Sequence, residues 1–493
     1  MTGAAPPGQP PRVLLVDPYM AREDPMERKF VELYPSLGLL TLGGYLRAHG
    51  IDVAMTDLTF ERSTAPVTDR IRRWAPHVVG VHTKTLTMRR ACEVAARARR
   101  AGAFTVAGGP DSATRPELYL EAGFDAVALA EGEETLVDLA HRVHRGEAVD
   151  GLPGLATLGL EGVRRGRPRP FLRDLDRLPL PAWDLIDMEA YLGRWARRTG
   201  ERRAALLTSR GCPFDCSWCS KPTFGRTFRQ QSPARVLDEL RALKERYRVD
   251  YVRFCDDVFG IHRPWIEALL DGMIEERLDL KFECLARVDL LRPELLARMR
   301  RAGLARVYVG VESGSQKMLD LMNRGTTLHQ VERTASALRS AGVRQFWFLM
   351  LGYPGETLDD IEATLRLFRR FSPEEYSVSI AVPVPGTRFF DAVRDRLRGP
   401  RRVRGRDGGR ALLFEAAYPE NVYRWTQARF GWEAALQKAR GKIDGEVLAR
   451  LGHAADRIHE EIATPILTGS RKGPGGGVAF HRAHPARPDP ASI

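Results

Sequence analysis

At 493 residues the chain is long enough for two or more domains, each with its own core. Lys and Arg total 76 against 63 Asp and Glu, a net charge of +13, but no aromatic-interleaved basic motif accompanies the excess, so a nucleic-acid partner is not expected. Six cysteines are too sparse for a disulfide framework. No apolar run approaches the ~18 residues of a membrane span, and the opening MTGAAPPGQPPR does not read as a signal peptide. A cytoplasmic protein with reduced thiols and no membrane partner is the expectation.

In chain order, residues 1–11 form a Pro/Gly tail expected to be disordered. Arg12-Val-Leu-Leu-Val-Asp17 then reads as a buried strand ended by Pro18. Similar runs recur at 51–56, 77–82, 103–108 and 125–130, separated by helical patterns at 37–49, 66–74, 88–101 and 115–122, with another at 133–145. Strands alternating with helices predict a parallel sheet covered on both faces, with ligands beyond the carboxyl ends of its strands. Residues 12–145 are therefore expected to form a Rossmann-like α/β domain. Its loops carry the strings Tyr34 to Arg47, Val79-Gly-Val-His-Thr-Lys-Thr85, Gly108-Gly109-Pro110 and Glu131-Gly-Glu-Glu134. Residues 146–203 read as a linker, with a basic run Arg164 to Arg169 and prolines that hold Leu175 to Trp183 extended.

The second domain opens with a strand at 204–209 that delivers Gly211-Cys-Pro-Phe-Asp-Cys-Ser-Trp-Cys219. Cys212, Cys216 and Cys219 stand in the spacing C-x3-C-x2-C. Cysteine thiolates are the usual ligands of a [4Fe–4S] cluster, and three of them leave one iron open for a small chelating molecule. A zinc site is the alternative, but it needs four closed ligands, the fourth from Cys255 or Cys284. Five more strand-like runs follow at 251–255, 281–286, 306–311, 345–351 and 377–382, each trailed by a helical pattern. One such helix, 233–247, sits behind a Ser232 cap with proline at its first position. Six βα units over 204–400 predict a partial (β/α)6 barrel whose chemistry lies at the C-terminal mouth.

Cys92, Cys255 and Cys284 are expected to be buried core residues. Strand alternation puts Glu283 and Arg287 on one face and Cys284 on the other. Asp256 and Asp257 either face substrate or pair with neighbouring basic residues. Beyond Pro400, 401–410 is a Gly/Arg loop and 401–468 a C-terminal helical region, with two or three helices over 423–463 capping the barrel mouth. The aromatic residues between Tyr418 and Trp432 either contact ligand or pack. Residues 469–493 form a second tail expected to be disordered.

The cysteine spacing with Trp218 before its last cysteine resembles the radical S-adenosylmethionine (SAM) superfamily. So do the strand-end strings Phe254-Cys-Asp-Asp257, Ala286-Arg-Val-Asp289, Val309-Gly-Val-Glu-Ser-Gly314, Gly352-Tyr-Pro-Gly-Glu356 and Val384-Pro-Gly-Thr387. Residues 12–145, with their loop strings, resemble the cobalamin-binding domain that some members carry. The resemblance implies that Cys212, Cys216 and Cys219 hold the cluster and that SAM chelates the open iron. Reductive cleavage of SAM then gives a 5′-deoxyadenosyl radical. Arg287, Glu312 and Ser313 would engage the aminocarboxylate and ribose of SAM, and backbone near Gly352 and Pro383 would border adenine. A guanidinium forks well onto a carboxylate; the plainer alternative for Arg287 and Glu312 is an internal barrel ion pair. Tyr19, Thr83, Thr85, Gly108, Gly109 and Glu131 would border cobalamin, the glycines because backbone without Cβ lies flat against a planar macrocycle.

Two positions depart from that pattern. The D-x-H-x-x-G string that supplies an axial histidine in other cobalamin proteins is missing, since Pro18 and Tyr19 follow Asp17, and Asp111 stands after Gly-Gly-Pro where relatives carry histidine. The resemblance implies an enzyme that abstracts hydrogen from an unactivated carbon of a small specialised metabolite and methylates it with cobalamin. The alternative is a non-methylating dehydratase, epimerase or cyclase with a vestigial first domain. Either needs an external one-electron reductant such as flavodoxin or ferredoxin.

Overall fold

A computed structural model describes residues 9–24, 32–220, 224–398, 413–440, 442, 446–447 and 450–453. Most of the first expected tail, the 401–410 loop, the C-terminal residues from 454 and the whole of the 469–493 tail lie outside the described residues. The chain divides into two compact units: residues 1–214, 220–286 and 294–307 in the first, and 215–219, 287–293 and 308–493 in the second. No described helix is long and apolar enough to cross a membrane.

The first unit is built on a seven-stranded sheet in the order β2-β1-β3-β4-β5-β6-β7. Its parallel part comprises β1 (Arg12–Asp17), β2 (Asp52–Asp57), β3 (Val78–His82), β4 (Phe104–Gly108) and β5 (Ala126–Ala128). Val13 through Val16 are all fully buried, because a central parallel strand is covered on both faces and needs an unbroken apolar run. The helices Leu37–Ala48, Ala65–Trp74, Met88–Arg100, Pro116–Glu121 and Glu133–Arg145 fall within one residue of their sequence expectation.

The stretch read as a linker holds more structure than expected. β6 (Leu155–Gly159) and β7 (Gly162–Arg165) form an antiparallel hairpin on β5, with Leu160 and Glu161 in a turn that ends at Gly162, φ +115°. The basic run is thus partly an edge strand, with Arg164 and Arg165 exposed, and charge on an edge discourages pairing with another chain. Helix Met188–Thr199 follows, its Asp187 cap accepting from Ala190 N at 3.1 Å and its end at Gly200 in the left-handed region. That helix is anchored by Tyr191, whose hydroxyl donates to Asp57 at 2.5 Å, and by Trp195, whose ring N–H donates to the Leu33 carbonyl at 2.8 Å.

The first unit also contains the parallel strands β8 (Arg203–Leu206), β11 (Tyr251–Phe254) and β12 (Lys281–Ala286). β8 stops three residues earlier than its apolar run suggests. Asp256 accepts bonds from the backbone N–H of Thr208 at 2.9 Å and of Ser209 at 2.5 Å, and from both hydroxyls. The chain turns into β9 (Ser209–Arg210), which pairs antiparallel with β10 (Arg229–Gln230). At Gly211, φ +83°, a Cβ would sit 1.9 Å from the Thr227 carbonyl oxygen, so only glycine can start the cysteine loop along this path. The expected helix forms over Pro233–Tyr247, with Ser232 Oγ accepting from Arg235 N at 3.2 Å.

Strand β13 (Leu304–Glu312) begins in the first unit and passes into the second at Tyr308. In the second unit, β14 (Arg344–Leu351) pairs in parallel with β15 (Glu375–Ile380). Helices Leu328–Ser340 and Leu358–Phe371 each open on a capping box, Thr327 with Gln330 and Thr357 with Asp360. In the C-terminal region helix Glu420–Ala439 forms, and the rest of the helices expected over 423–463 falls largely outside the described residues. Helix Glu420–Ala439 packs on helix Leu358–Phe371 and on β15: Phe430 meets Phe368 edge to face at 5.1 Å, and Gln427 Nε2 donates to the Val378 carbonyl at 2.7 Å. Tyr423 and Phe430 are fully buried while Trp432 is exposed, so this aromatic stripe is largely packing.

Candidate functional site

In the second unit, the segment Asp215–Cys219 is clamped from several sides. Ser217 N donates to the Met322 carbonyl at 3.0 Å, Ser217 O accepts from Phe389 N at 2.9 Å, and Asn323 Nδ2 donates to the Asp215 carbonyl at 2.7 Å. Arg388 bonds both the carbonyl and the carboxylate of Asp215. Arg324 Nη1 donates to Cys216 Sγ at 3.4 Å, and its guanidinium lies 5.9 Å from the Trp218 ring centre. A fixed positive charge therefore sits on one of the three sulfurs, which suits a thiolate ligand. Cys219 is exposed, and Cys212, in the first unit, is buried. None of the six cysteines is in a disulfide.

The residues expected around SAM share this unit. Glu312 closes β13 with φ +63°, a strained backbone for a side chain of this size. Burial raises its carboxyl above the ordinary range, partly offset by Arg324 and Arg287, with Arg324 Nε 3.9 Å away. Ser313 and Gly314 turn against helix Leu358–Phe371. Ser313 Oγ lies 3.1 Å from Thr364 Oγ1, which also accepts from Gly314 N at 2.9 Å. Arg287 forks onto Asp289 at 2.9 and 3.1 Å and donates to the Arg324 carbonyl at 2.9 Å. Gly352, φ +79°, donates its N–H to Glu356 at 2.6 Å and leaves room where a Cβ would lie 3.4 Å from the Tyr423 ring. Pro383 is buried just beyond β15.

The first unit holds a cavity of about 440 Å³ at the carboxyl ends of β1, β3, β4 and β5, a size typical of small-molecule sites and a location typical of open parallel sheets. Its inner wall is apolar, with Leu15, Val106, Ala128 and Leu136 around Gly80, where a Cβ would lie 3.2 Å from Leu15. Gly108 and Gly109 form part of the wall. Gly109 has φ +114°, and a Cβ there would come within 2.7 Å of the Thr83 carbonyl and 2.8 Å of the His82 ring. Glycine at 109 thus lets the turn lie close against the end of β3 at the cavity's edge.

Of the other expected contacts, Glu131 lines the cavity, and its carboxylate is engaged by Arg210 at 2.8 Å, by Arg229 at 2.8 and 2.9 Å, and by Leu172 N at 2.8 Å. Thr83 is fully buried, and its hydroxyl lies 3.0 Å from the Gly108 carbonyl and 2.8 Å from Ser112 Oγ, which holds the glycine turn. Thr85 donates to Asp111 at 2.8 Å, and Tyr19 donates its hydroxyl to Asp24 at 3.0 Å beneath the Lys84 ammonium. Asp111, the departure after Gly-Gly-Pro, also bonds Arg115 and Tyr119, each at 2.5 Å.

Sequence reasoning missed His82, Lys84, Arg210, Phe224 and Cys255, all of which line the cavity, and Arg324 beside Cys216. Two expectations are corrected. Cys255 is not buried in the core: it follows β11, is exposed and lines the cavity, while the protein packed around it pushes the thiol up to about 12. Cys284, on the next strand, is fully buried as expected. Asp256 neither faces open space nor pairs with a basic residue. It is buried, and burial lifts its carboxyl to about 6 against the bonds from Ser209 and Thr208. Glu283 accepts from Tyr251 Oη at 2.9 Å, with Arg253 and Arg306 at 3.7 and 3.8 Å.

Comparison with known proteins agrees with both halves. The radical SAM superfamily model matches residues 206–368 and the B12 binding domain model residues 27–140. An uncharacterized methyltransferase of Pyrococcus horikoshii is 30% identical over 389 residues, 77% of this chain and 82% of that protein. The anaerobic magnesium-protoporphyrin IX monomethyl ester cyclase of Rubrivivax gelatinosus is 29% identical over 376 residues, covering 74% and 67%. Among solved structures, the cobalamin-dependent SAM radical enzyme OxsB with aqua-cobalamin bound shares the fold, with a TM-score of 0.70 at 18% identity over 92% of this chain and 72% of that one. The chain therefore belongs to the cobalamin-binding radical SAM family, whose cofactors are a [4Fe–4S] cluster, SAM and cobalamin.

Proposed function

We propose that this enzyme is a cobalamin-dependent C-methyltransferase acting on an unactivated carbon of a small specialised metabolite. The observation that carries the reading is the glycine-walled cavity at the strand ends, a working shape rather than a filled-in remnant, in a chain whose relative from Pyrococcus horikoshii is named a methyltransferase. When bound, the cluster supplies one electron to SAM and cobalamin carries the methyl group. The protein positions these groups and excludes water.

The roles of individual residues follow from their surroundings. Cys212, Cys216 and Cys219 hold the cluster, and Arg324 neutralises the Cys216 sulfur. Arg287, already forked onto Asp289, presents a guanidinium of fixed orientation for the carboxylate of SAM. Glu312 offers a carboxylate for the SAM ammonium or ribose hydroxyls, on a turn fixed by Ser313 and Thr364. Gly352 and Pro383 border adenine. Gly108 and Gly109 lie against cobalamin, while Thr83, Thr85 and Tyr19 shape the loops that hold it. An external flavodoxin or ferredoxin delivers the electron.

The test is anaerobic purification and cluster reconstitution, followed by iron, sulfide and cobalt analysis and by measurement of S-adenosylhomocysteine and 5′-deoxyadenosine from SAM under reduction. Four irons and one cobalt per chain with both products are expected. The cyclase relative favours a second reading, in which radical chemistry proceeds without methyl transfer. 5′-Deoxyadenosine without S-adenosylhomocysteine would establish that reading and refute methylation.

A further inference from the structure

We propose that Arg253 and Arg306 anchor an anionic group of the substrate, a carboxylate or a phosphate, at the place where Glu32 reaches them from within the chain. The inference deepens the reading just given, on which it rests, by naming the substrate class. All the residues concerned belong to the first unit. Strand register sets Arg253 beside Glu283 and Tyr251 beside Arg203, and alternation puts these four side chains on one face of the sheet. The other face is ordinary core, with Val252, Phe254, Phe282 and Cys284 fully buried. Arg306, on β13, joins the charged face. Its Nη1 lies 3.8 Å from Glu283, with Arg253 Nε at 3.7 Å and Arg203 Nη1 at 4.0 Å. Strands of this kind ordinarily fill such a face with branched apolar residues, and arginines there cost desolvation unless anions meet them.

Glu32 meets two of these arginines as a ligand would. One carboxylate oxygen accepts from Arg253 Nη1 at 2.5 Å and the other from Arg306 Nη2 at 2.8 Å, a bridge that the carboxylate or phosphate of a small molecule can reproduce. Burial raises the Glu32 carboxyl, but the two guanidiniums outweigh it and hold the group below its ordinary value, so the place selects an anion. It is reachable, since the side chains of Glu32 and Arg253 are 26% and 24% exposed. It also adjoins the cavity. Tyr34, two residues after Glu32, and Cys255, two residues after Arg253 on the same face, both line the cavity wall. The Tyr34 ring centre lies 5.8 Å from the Arg253 guanidinium. Its hydroxyl is buried with no hydrogen-bond partner among the described residues, and burial, with Glu283 nearby, keeps it protonated, so a donor is left for an acceptor oxygen. A small molecule held by its anion at Arg253 and Arg306 would therefore lay the rest of its length along Tyr34 and Cys255 into the cavity.

Isothermal titration calorimetry of the full-length enzyme, loaded with cluster and cobalamin, tests the anchor with acetate and inorganic phosphate as probes. Glu32→Gln removes the internal charge and leaves both arginines, so acetate or phosphate is expected to bind it about tenfold or more tighter than the unmodified enzyme, and the tighter probe names the group. Adding Arg306→Gln should abolish that gain. No saturable binding of either anion to a folded Glu32→Gln enzyme with iron and cobalt retained, or a gain that survives Arg306→Gln, overturns the anchor. Should Glu32→Gln fail to fold, recovery of its fold by acetate or phosphate and not by chloride supports the anchor, and no such recovery overturns it. A second arm supplies the unmodified enzyme with SAM carrying a deuterated methyl group and with small-metabolite extracts split by anion exchange, and label is expected in an acidic compound. Label in a neutral or basic compound overturns the anchor and leaves methyl transfer intact. 5′-Deoxyadenosine with label in no compound refutes methyl transfer instead, and the calorimetry decides the anchor.

Discussion

Replacing Arg210 by alanine tests whether a buried ion network holds the start of the cysteine loop against the cavity wall. Arg210 is 6% exposed and donates to Glu131 at 2.8 Å and to Glu133 at 2.5 Å. Removing one partner of a buried pair costs about 3–5 kcal/mol, because the other is left charged and out of water. Glu131 would still be held by Arg229 and Leu172 N, so the damage falls mainly on Glu133, 4% exposed, and the lower end, about 3 kcal/mol or roughly a hundredfold in equilibrium constant, is expected. Hydrogen exchange of the β3–β5 amides at increasing urea reads the loss locally, which matters in a chain of two units. Adding Glu133→Gln should recover about 1–2 kcal/mol, as residues of one network couple. Arg210→Lys should fall between, since a point charge cannot fork across two carboxylates. A loss under about 1 kcal/mol, or a double variant whose cost is merely the sum of the two single ones, would refute the network as the support of this loop.

Gly109→Ala forces a side chain to φ +114° and within 2.7 Å of the Thr83 carbonyl. It is expected to weaken cobalamin binding about tenfold or more, read as a fallen cobalt-to-iron ratio with iron unchanged. Arg324→Met removes the charge beside Cys216, so iron incorporation should fall and the reduction potential of any cluster formed should move negative in a redox titration; an unchanged potential would mean that the charge does not act on the cluster. Glu356→Gln addresses pH. Burial lifts the Glu356 carboxyl to about 8, against the bond from Gly352 N, whereas the unfolded chain's carboxyl titrates at the ordinary value of 4.5. Between those values the folded state binds the extra proton, so stability falls as pH rises from about 4.5 to about 8 and then levels. The glutamine variant should lose a few kcal/mol of that slope and be the more stable of the two at pH 8; parallel urea midpoints against pH for both proteins would show that Glu356 is not the source.

What the sequence made legible was local in character. Apolar runs of the right length marked both sets of parallel strands, and Ser232 followed by proline marked a helix start that the structure reproduces atom for atom. The cysteine spacing and strand-end strings pointed to the family because their chemistry is contiguous in the chain. The β6–β7 hairpin was hidden because its arginines read as a linker's charge run, and only the Gly162 turn marked it. The cavity was half legible for a different reason. Gly108 and Gly109 announce themselves as a pair, whereas Arg210 is one arginine in an arginine-rich chain until Glu131 and Glu133, more than seventy residues earlier, are seen on its guanidinium. His82 shows the limit most sharply. A pattern that looks for histidine two residues beyond Asp17 fails, yet the parallel register of β1 with β3 puts a histidine beside that aspartate without any sequence proximity. Chemistry that depends on two side chains meeting is set by strand pairing as much as by spacing.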